Sequence, residues 1–286
     1  MTNTKRESTR KKQITPLKEL NLYDDFLFGE VMCDEETCKM VLEIILGREI
    51  GKIVFYNKEQ HMDVDREHKG IRLDIYFKDD MNTIYSVEMQ ARPINNIPKR
   101  SRHYQSVMDI QILPRGETDY DLLSDGIIIF ICTFDLFGKG RYCYTFENRC
   151  LEDFNLPLDD GVKKIFLNTK GTNDHETRKE LIEFLKFVEK TNELTLETEQ
   201  VKQISNRVKK VKSNMETEER YMTVEMWKNE MRAEGREEGR EEAEARLTEL
   251  STILLEEGKI KELSEVMKNQ VFRQELYEKY HISDNS

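Results

Sequence analysis

The chain has no CxxC pair, no Cys/His spacing of a zinc site and no secretory leader, and each absence narrows what it can be. Its five cysteines, Cys33, Cys38, Cys132, Cys143 and Cys150, are scattered and odd in number. That pattern excludes a fully paired disulfide framework and predicts reduced thiols in a cytoplasm, most of them small core residues. The N-terminus, M-T-N-T-K-R-E-S-T-R-K-K-Q, is basic and polar without an apolar h-region, so it does not read as a secretory signal. No apolar run approaches the ~20 residues of a membrane span. Positive charge is also in deficit: 45 Lys+Arg face 56 Asp+Glu, a net charge of -11. An acidic total excludes a passive, charge-driven coat for nucleic acid. It leaves room for an enzyme with a local basic groove and an acidic metal site.

The deficit is uneven. Residues 1–150 hold 22 Lys+Arg against 25 Asp+Glu, or -3, and the remainder 23 against 31, or -8. At 286 residues the chain can hold one substantial domain and an appendage. Residues 1–16 read as a disordered basic arm, 17–170 as an α/β core, 171–214 as a helical segment and 215–286 as a charged helical tail.

Within the core, residues from about Asp24 to Leu46 read as an amphipathic helix: Phe28, Val31, Met32, Val41, Leu42, Ile45 and Leu46 recur at helical spacing, Cys33-Asp34 is a candidate break, and Gly47 is placed to cap the end. Ile53 to Tyr56 opens a first strand, followed by a polar stretch to Gly70. A helix is expected from about Pro98 to Leu113. Ile127 to Cys132 is a short continuous apolar run, the signature of a strand buried on both faces. Tyr142 to Phe146 reads as its hairpin partner across the Phe137–Gly140 turn, and Lys164 to Leu167 as a last short strand. Beyond His175, Leu181, Phe184, Leu185 and Val188 mark one amphipathic helix, and Val201, Ile204, Val208 and Val211 another. The tail carries the repeat E-G-R-E-E-G-R-E-E-A-E-A-R at Glu234 to Arg246, in which Gly235, Gly239 and Ala243 recur every four residues. It reads either as a solvated helical extension or as a self-association stripe.

The stretch I-R-L-D-I-Y-F-K-D-D-M-N-T-I-Y-S-V-E-M-Q-A, Ile71 to Ala91, is the most informative. Ile71, Leu73, Ile75 and Phe77 alternate with Arg72, Asp74, Tyr76 and Lys78, the period of a half-buried strand. After turn formers at Asp79 to Asn82, Tyr85, Val87 and Met89 alternate with Ile84, Ser86, Glu88 and Gln90. A three-residue loop at Asp80 to Asn82 sets Asp74 opposite Glu88, with Cβ atoms about 5 Å apart, and Gln90 on Glu88's face. Two such carboxylates repel by about 3 kcal/mol at an effective dielectric near 20. Solvent, the nearby Arg72 or a divalent cation could each offset that. Magnesium is held through one or two carboxylates and several waters, and it both activates water and neutralises a phosphodiester. On that reading Asp74 and Glu88 are ligands, the Met89 carbonyl is a further oxygen, and Gln90 orients the attacking water.

Several stretches together carry a resemblance: Y-D-D-F-L-F-G-E-V-M at Tyr23 to Met32, G-I-R-L-D-I-Y at Gly70 to Tyr76, Y-S-V-E-M-Q at Tyr85 to Gln90, R-S-R-H-Y-Q-S-V-M-D at Arg100 to Asp109, and the Glu/Gly/Arg-rich tail. The sequence resembles the PD-(D/E)XK nuclease superfamily, in its family of recombination-promoting nucleases and transposases. The resemblance implies a restriction-endonuclease-like α-β-β-β-α-β core, a mixed sheet flanked by helices, followed here by a helical extension. It implies that Asp74 is the first metal-binding acid, that Glu88 is the acid of the second half-motif, and that Gln90 stands where the superfamily usually has lysine. Lysine brings a point charge, whereas glutamine positions water only through neutral hydrogen bonds. Asp25 matches an acid that reaches the site from the first helix, or else caps that helix.

Lys99, Arg100, Arg102 and His103 crowd the start of the following helix, where cations and a helix N-terminus both favour phosphate. Tyr104 and Gln105 lie beside them and are expected to face the site, while Asp109 is expected to be structural. The sequence thus points to a magnesium-dependent DNA endonuclease (manganese being an alternative ion) in recombination or mobile-element biology. It implies DNA as partner and no membrane, with a homo-oligomer through the tail as one of the tail's two readings. The competing reading is a catalytically weak or inactive nuclease fold used for DNA binding or assembly. A metal hydrolase acting on RNA or nucleotides is a third.

Overall fold

The computed structural model describes residues 14–62, 71–113 and 116–282; the basic arm, apart from its last residues, and the side chain of Arg72 lie outside the described part. The described residues divide into two compact units, one from residue 15 to 219 and one from residue 220 to 282.

In the first unit, α1 (Asp25–Met32) and α2 (Glu35–Leu46) are separate helices. Asp24 caps α1 by accepting the Phe26 and Leu27 N–H groups, and Asp34 caps α2 through Thr37. Two caps ten residues apart explain the break at Cys33-Asp34. Gly47 ends α2 at φ +69°, a conformation glycine adopts without strain. The Arg178 guanidinium donates to the Ile44 and Ile45 carbonyls at 2.7 and 3.0 Å, satisfying the end of α2 from far along the chain.

Three antiparallel strands follow: β1 (Ile53–Met62), β2 (Ile71–Asp79) and β3 (Thr83–Gln90). The first is longer than its opening apolar residues suggest, because pairing with β2 along its length carries the polar residues Asn57 to His61 into the ladder. α3 (Ile97–Ile112) crosses over to β4 (Asp125–Cys132), which lies parallel to β3. β5 (Cys143–Phe146) and β6 (Val162–Asn168) complete a six-stranded mixed sheet of order β1-β2-β3-β4-β6-β5. The expected hairpin between the Ile127–Cys132 strand and the Tyr142–Phe146 strand does not form. Both edges of β4 are taken by parallel neighbours, β3 and β6, so β5 pairs with the outer edge of β6. The continuous apolar run of β4 is buried as expected, Ile127 through Cys132 being 5% exposed or less.

One face of the sheet packs under α3, with Ile84, Ile128, Phe130, Cys132 and Phe166 meeting Ile97, Tyr104, Val107 and Met108. α1 packs against β2 and α2 against β1. α4 (Lys179–Glu189) and α5 (Glu199–Lys212) then extend that helical layer through α2 and α1. Their buried faces are the periodic ones: Leu181, Phe184, Leu185 and Val188 in α4, and Val201, Ile204, Val208 and Val211 in α5.

The β2–β3 turn is clamped by Asp79. Buried at 2% exposure, it accepts the Met81 and Thr83 N–H groups at 3.0 and 2.9 Å on one oxygen and the Tyr85 hydroxyl at 2.9 Å on the other. Asn82 takes φ +65°, as short polar residues can. Asp79→Ala leaves three donors, two of them buried, without their acceptor and is expected to cost about 2–4 kcal/mol in urea unfolding, with Asp79→Asn costing less than half as much. A loss below about 0.5 kcal/mol, the scale of an ordinary surface change, would remove the clamp from the account.

In the second unit the helix α6 (Met215–Glu256), which starts in the first unit, is followed by α7 (Ile260–Val266) and α8 (Gln270–Lys279). Leu250, Leu254, Val266, Leu276, Tyr277 and Ile282 form its core, and the Arg246 guanidinium lies 4.3 Å from the centre of the Tyr277 ring. The repeat is continuous helix. Gly235 and Gly239 face open space, and Arg240 pairs with Glu237 and Glu244 along the helix. Among the described residues no helix is long and apolar enough to cross a membrane.

Candidate active site

β3 is buried at all eight positions, so its polar column Ser86-Glu88-Gln90 lies inside the protein, under α3. Along the parallel ladder Ile128 stands beside Ser86, Phe130 beside Glu88 and Cys132 beside Gln90. Glu88 is fully buried and therefore is not an acid on a solvated strand face. On its other side the β2–β3 ladder runs from Lys78↔Ile84 to Ile75↔Val87. Continued by one residue, that register sets Asp74 opposite Glu88.

Past Ile75 the carboxylates serve as acceptors for backbone groups. Glu88 Oε1 accepts the Asp74 N–H at 3.0 Å, and Asp74 Oδ2 accepts the Met89 N–H at 3.1 Å. The two acids thus cross-brace the strands at the point where the ladder gives way. Asp74 is half-buried and Glu88 fully buried.

Arg100 closes the arrangement from α3. Its Nη2 donates to Glu88 Oε2 at 2.6 Å, its Nη1 to Gln90 Oε1 at 3.1 Å and its Nε to the Tyr104 hydroxyl at 2.7 Å. Tyr104 in turn donates to Glu88 Oε2 at 3.4 Å. The guanidinium carbon lies 5.1 Å from the Tyr104 ring centre and 5.3 Å from that of Phe130, within reach of a cation–π attraction. The other end of Gln90 is also engaged, with Nε2 donating to the Arg92 carbonyl at 2.7 Å.

Burial, and then the neighbouring Asp74 carboxylate, push the Glu88 carboxyl up to about 8, against the pull of the Asp74 N–H and Arg100. Burial and then Glu88 raise the Tyr104 hydroxyl to about 12, so it stays a donor. Burial works against the charge on Arg100, but Tyr104 and Glu88 outweigh it and hold its pKa above the ordinary value.

The structure brings Asp74, Glu88, Gln90, Arg100 and Tyr104 together. It does not bring Gln105 to them. That side chain is buried, donates to Asp109 at 2.7 Å and packs against Gly126 at the far end of β4, four residues, or about 13 Å, from Phe130. Arg100 turns inward onto Glu88 and Gln90, with its side chain still 30% exposed. Lys99 and Arg102 are exposed and His103 half-buried at the start of α3. That helix has no acid in its first turn and no side-chain cap. Asp25 is exposed at the first turn of α1, with Oδ1 at 3.0 Å from the Phe26 N–H, and the cap is its neighbour Asp24. The buried acid of α1 is Glu30, 8% exposed on the helix that packs against β2. Its position three residues after Leu27, on the apolar face, was the available signal.

Among the described residues no group of three or more His, Cys, Asp or Glu side chains is arranged to hold a metal. The donor set here is a pair of carboxylates, and that fits magnesium, which takes one or two carboxylates and keeps several waters.

A family model described as PD-(D/E)XK nuclease family transposase matches residues 22–243. No curated protein and no solved structure matches the chain.

Proposed function

The chain belongs to the PD-(D/E)XK nuclease family of transposases, and from that premise we propose that it is a magnesium-dependent DNA endonuclease serving recombination or mobile-element movement. The observation that carries the reading is the pair of cross-bracing acids, Asp74 and Glu88, set beside Gln90 and Arg100 beneath a helix whose first turn is basic and uncapped.

Asp74 and Glu88, with the Met89 carbonyl as a further oxygen, are the residues that would hold the ion. When bound, magnesium lowers the pKa of a coordinated water and neutralises charge on the scissile phosphate. The protein's own contribution is placement. The α3 N-terminus with Lys99 and Arg102 draws the backbone phosphates to the mouth of the site without reading sequence. Phe130 and the apolar sheet face exclude water from behind Glu88, which strengthens each charge interaction there. Tyr104 remains protonated and donates to Glu88, keeping that carboxylate in one orientation.

The test is cleavage of supercoiled plasmid with and without magnesium or manganese, run in parallel on RNA. Metal-dependent nicking of DNA that disappears in Asp74→Asn supports the reading. Metal-independent DNA binding with no cleavage would favour the weak or inactive alternative instead, as would cleavage that Asp74→Asn leaves intact.

A further inference from the structure

Gln90 is committed at both ends, to Arg100 through Oε1 and to the Arg92 carbonyl through Nε2. Its amide therefore brings the site neither a charge nor a spare polar head. Phosphodiester hydrolysis nevertheless builds negative charge on phosphate oxygens, and catalysis of phosphoryl transfer is largely positioning and stabilisation of that charge. Among the described residues, the cation that reaches both β3 side chains comes from another element, the first turn of α3.

We propose that Arg100 is the phosphate-facing cation of the site, carried in from α3 and aimed by Glu88, Gln90 and Tyr104, so that it supplies the charge β3 does not offer at Gln90. The inference rests on the nuclease reading and deepens it. Three hydrogen bonds fix the guanidinium plane: one to a carboxylate, one to an amide oxygen and one to a hydroxyl. The Tyr104 and Phe130 rings support it from beneath. Its side chain is still 30% exposed while its partner Glu88 is 1% exposed, so the anchored side faces inward and the edge meets solvent. The remaining N–H donors are uncommitted among the described residues, and a planar fork matches paired phosphate oxygens. Lys99 and Arg102, by contrast, are exposed, as suits charges that steer and position the backbone. A guanidinium held only to neutralise Glu88 would need no second anchor on Gln90.

The test is steady-state cleavage of a short duplex under magnesium. Arg100→Gln is expected to lower kcat on the order of 10²-fold, the cost of removing a preorganised donor, with KM changed less than about threefold. Arg100→Lys, which keeps the charge and loses the fork, falls between. The decisive variant is Gln90→Lys in the Arg100→Gln background. Returning the cation from the strand should recover kcat at least about tenfold over Arg100→Gln alone, whereas a merely structural role for Arg100 predicts no recovery. As a readout without turnover, the salt dependence of metal-free DNA binding should lose about one unit of slope in Arg100→Gln. If Arg100→Gln does not fold, the Arg100→Lys kcat and the same slope decide. An Arg100 variant with kcat and slope at wild-type level overturns the proposal, as does a double variant that is not rescued. Asp74-dependent cleavage that is indifferent to Arg100 overturns this inference alone. Absence of Asp74-dependent cleavage in the wild-type protein overturns the nuclease reading and the inference with it.

Discussion

Asp74→Asn is expected to cut metal-dependent plasmid cleavage by on the order of 10³-fold while leaving the fold in place. The substitution removes a charge and keeps the size and shape of the side chain. The asparagine oxygen can still accept the Met89 N–H, so the cross-brace between the strands survives. An amide oxygen is a far weaker partner for a hard dication than a carboxylate. The change also relieves Glu88 of a like-charge neighbour, so the Glu88 carboxyl should titrate lower, a shift opposite in sign to damage. A kcat loss with a melting curve that is unshifted or moved to higher temperature is the expected pair of results. An Asp74→Asn protein that cleaves within tenfold of wild type would remove Asp74 from the proposed ligand set.

Glu88→Gln is expected to separate stability from activity. The folded-state pKa of Glu88 is raised from 4.5 to about 8, so in this window the unfolded chain gives up its proton while the folded one keeps it. For such a raised acid, stability is greatest below the unfolded value and declines as pH rises through the folded one. Glu88 should therefore erode stability by roughly a few kcal/mol between about pH 4.5 and 8, a sizeable share of what a domain has. Glutamine does not titrate, so the variant should show a flatter pH profile and be the more stable protein at pH 8, yet fail to cleave. Urea unfolding at pH 5 and pH 8 measures both slopes. Parallel wild-type and variant profiles would mean that Arg100 neutralises Glu88 in full, and the buried-acid account would not stand. A functional group that weakens its host in this way is a familiar trade between stability and activity.

Much of this was readable in the chain because it is local. Alternation on either side of Asp80 to Asn82 set the hairpin register, which a one-residue slip would have inverted. Apolar spacing marked one helical stretch from about Asp24 to Leu46, and the Asp34 cap makes its candidate break a division into α1 and α2. The unreadable parts depend on partners distant in sequence or on which way a helix faces. No local signal tells β5 to prefer β6 over β4, since that choice follows from β4 having both edges filled. On α3 the basic cluster was evident, but Arg100 sits four residues before buried Tyr104 and so shares its face, while Lys99 and Arg102 point away. Gln105 lies five residues, about 7.5 Å, further along the helix than Arg100, enough to carry it to the other end of β4. The same reasoning moves attention in α1 from exposed Asp25 to buried Glu30.

The point where the β2–β3 ladder gives way has one more use. There the amide protons of Asp74 and Met89 rest on carboxylates rather than on carbonyls of the facing strand. Their exchange with solvent deuterium therefore reports what those acids are holding. An occupant that draws the carboxylates toward itself loosens both amides together, while neighbours in the intact ladder, such as Val87, keep their protection. The site thus carries its own occupancy gauge, legible without DNA, without turnover and without any substitution.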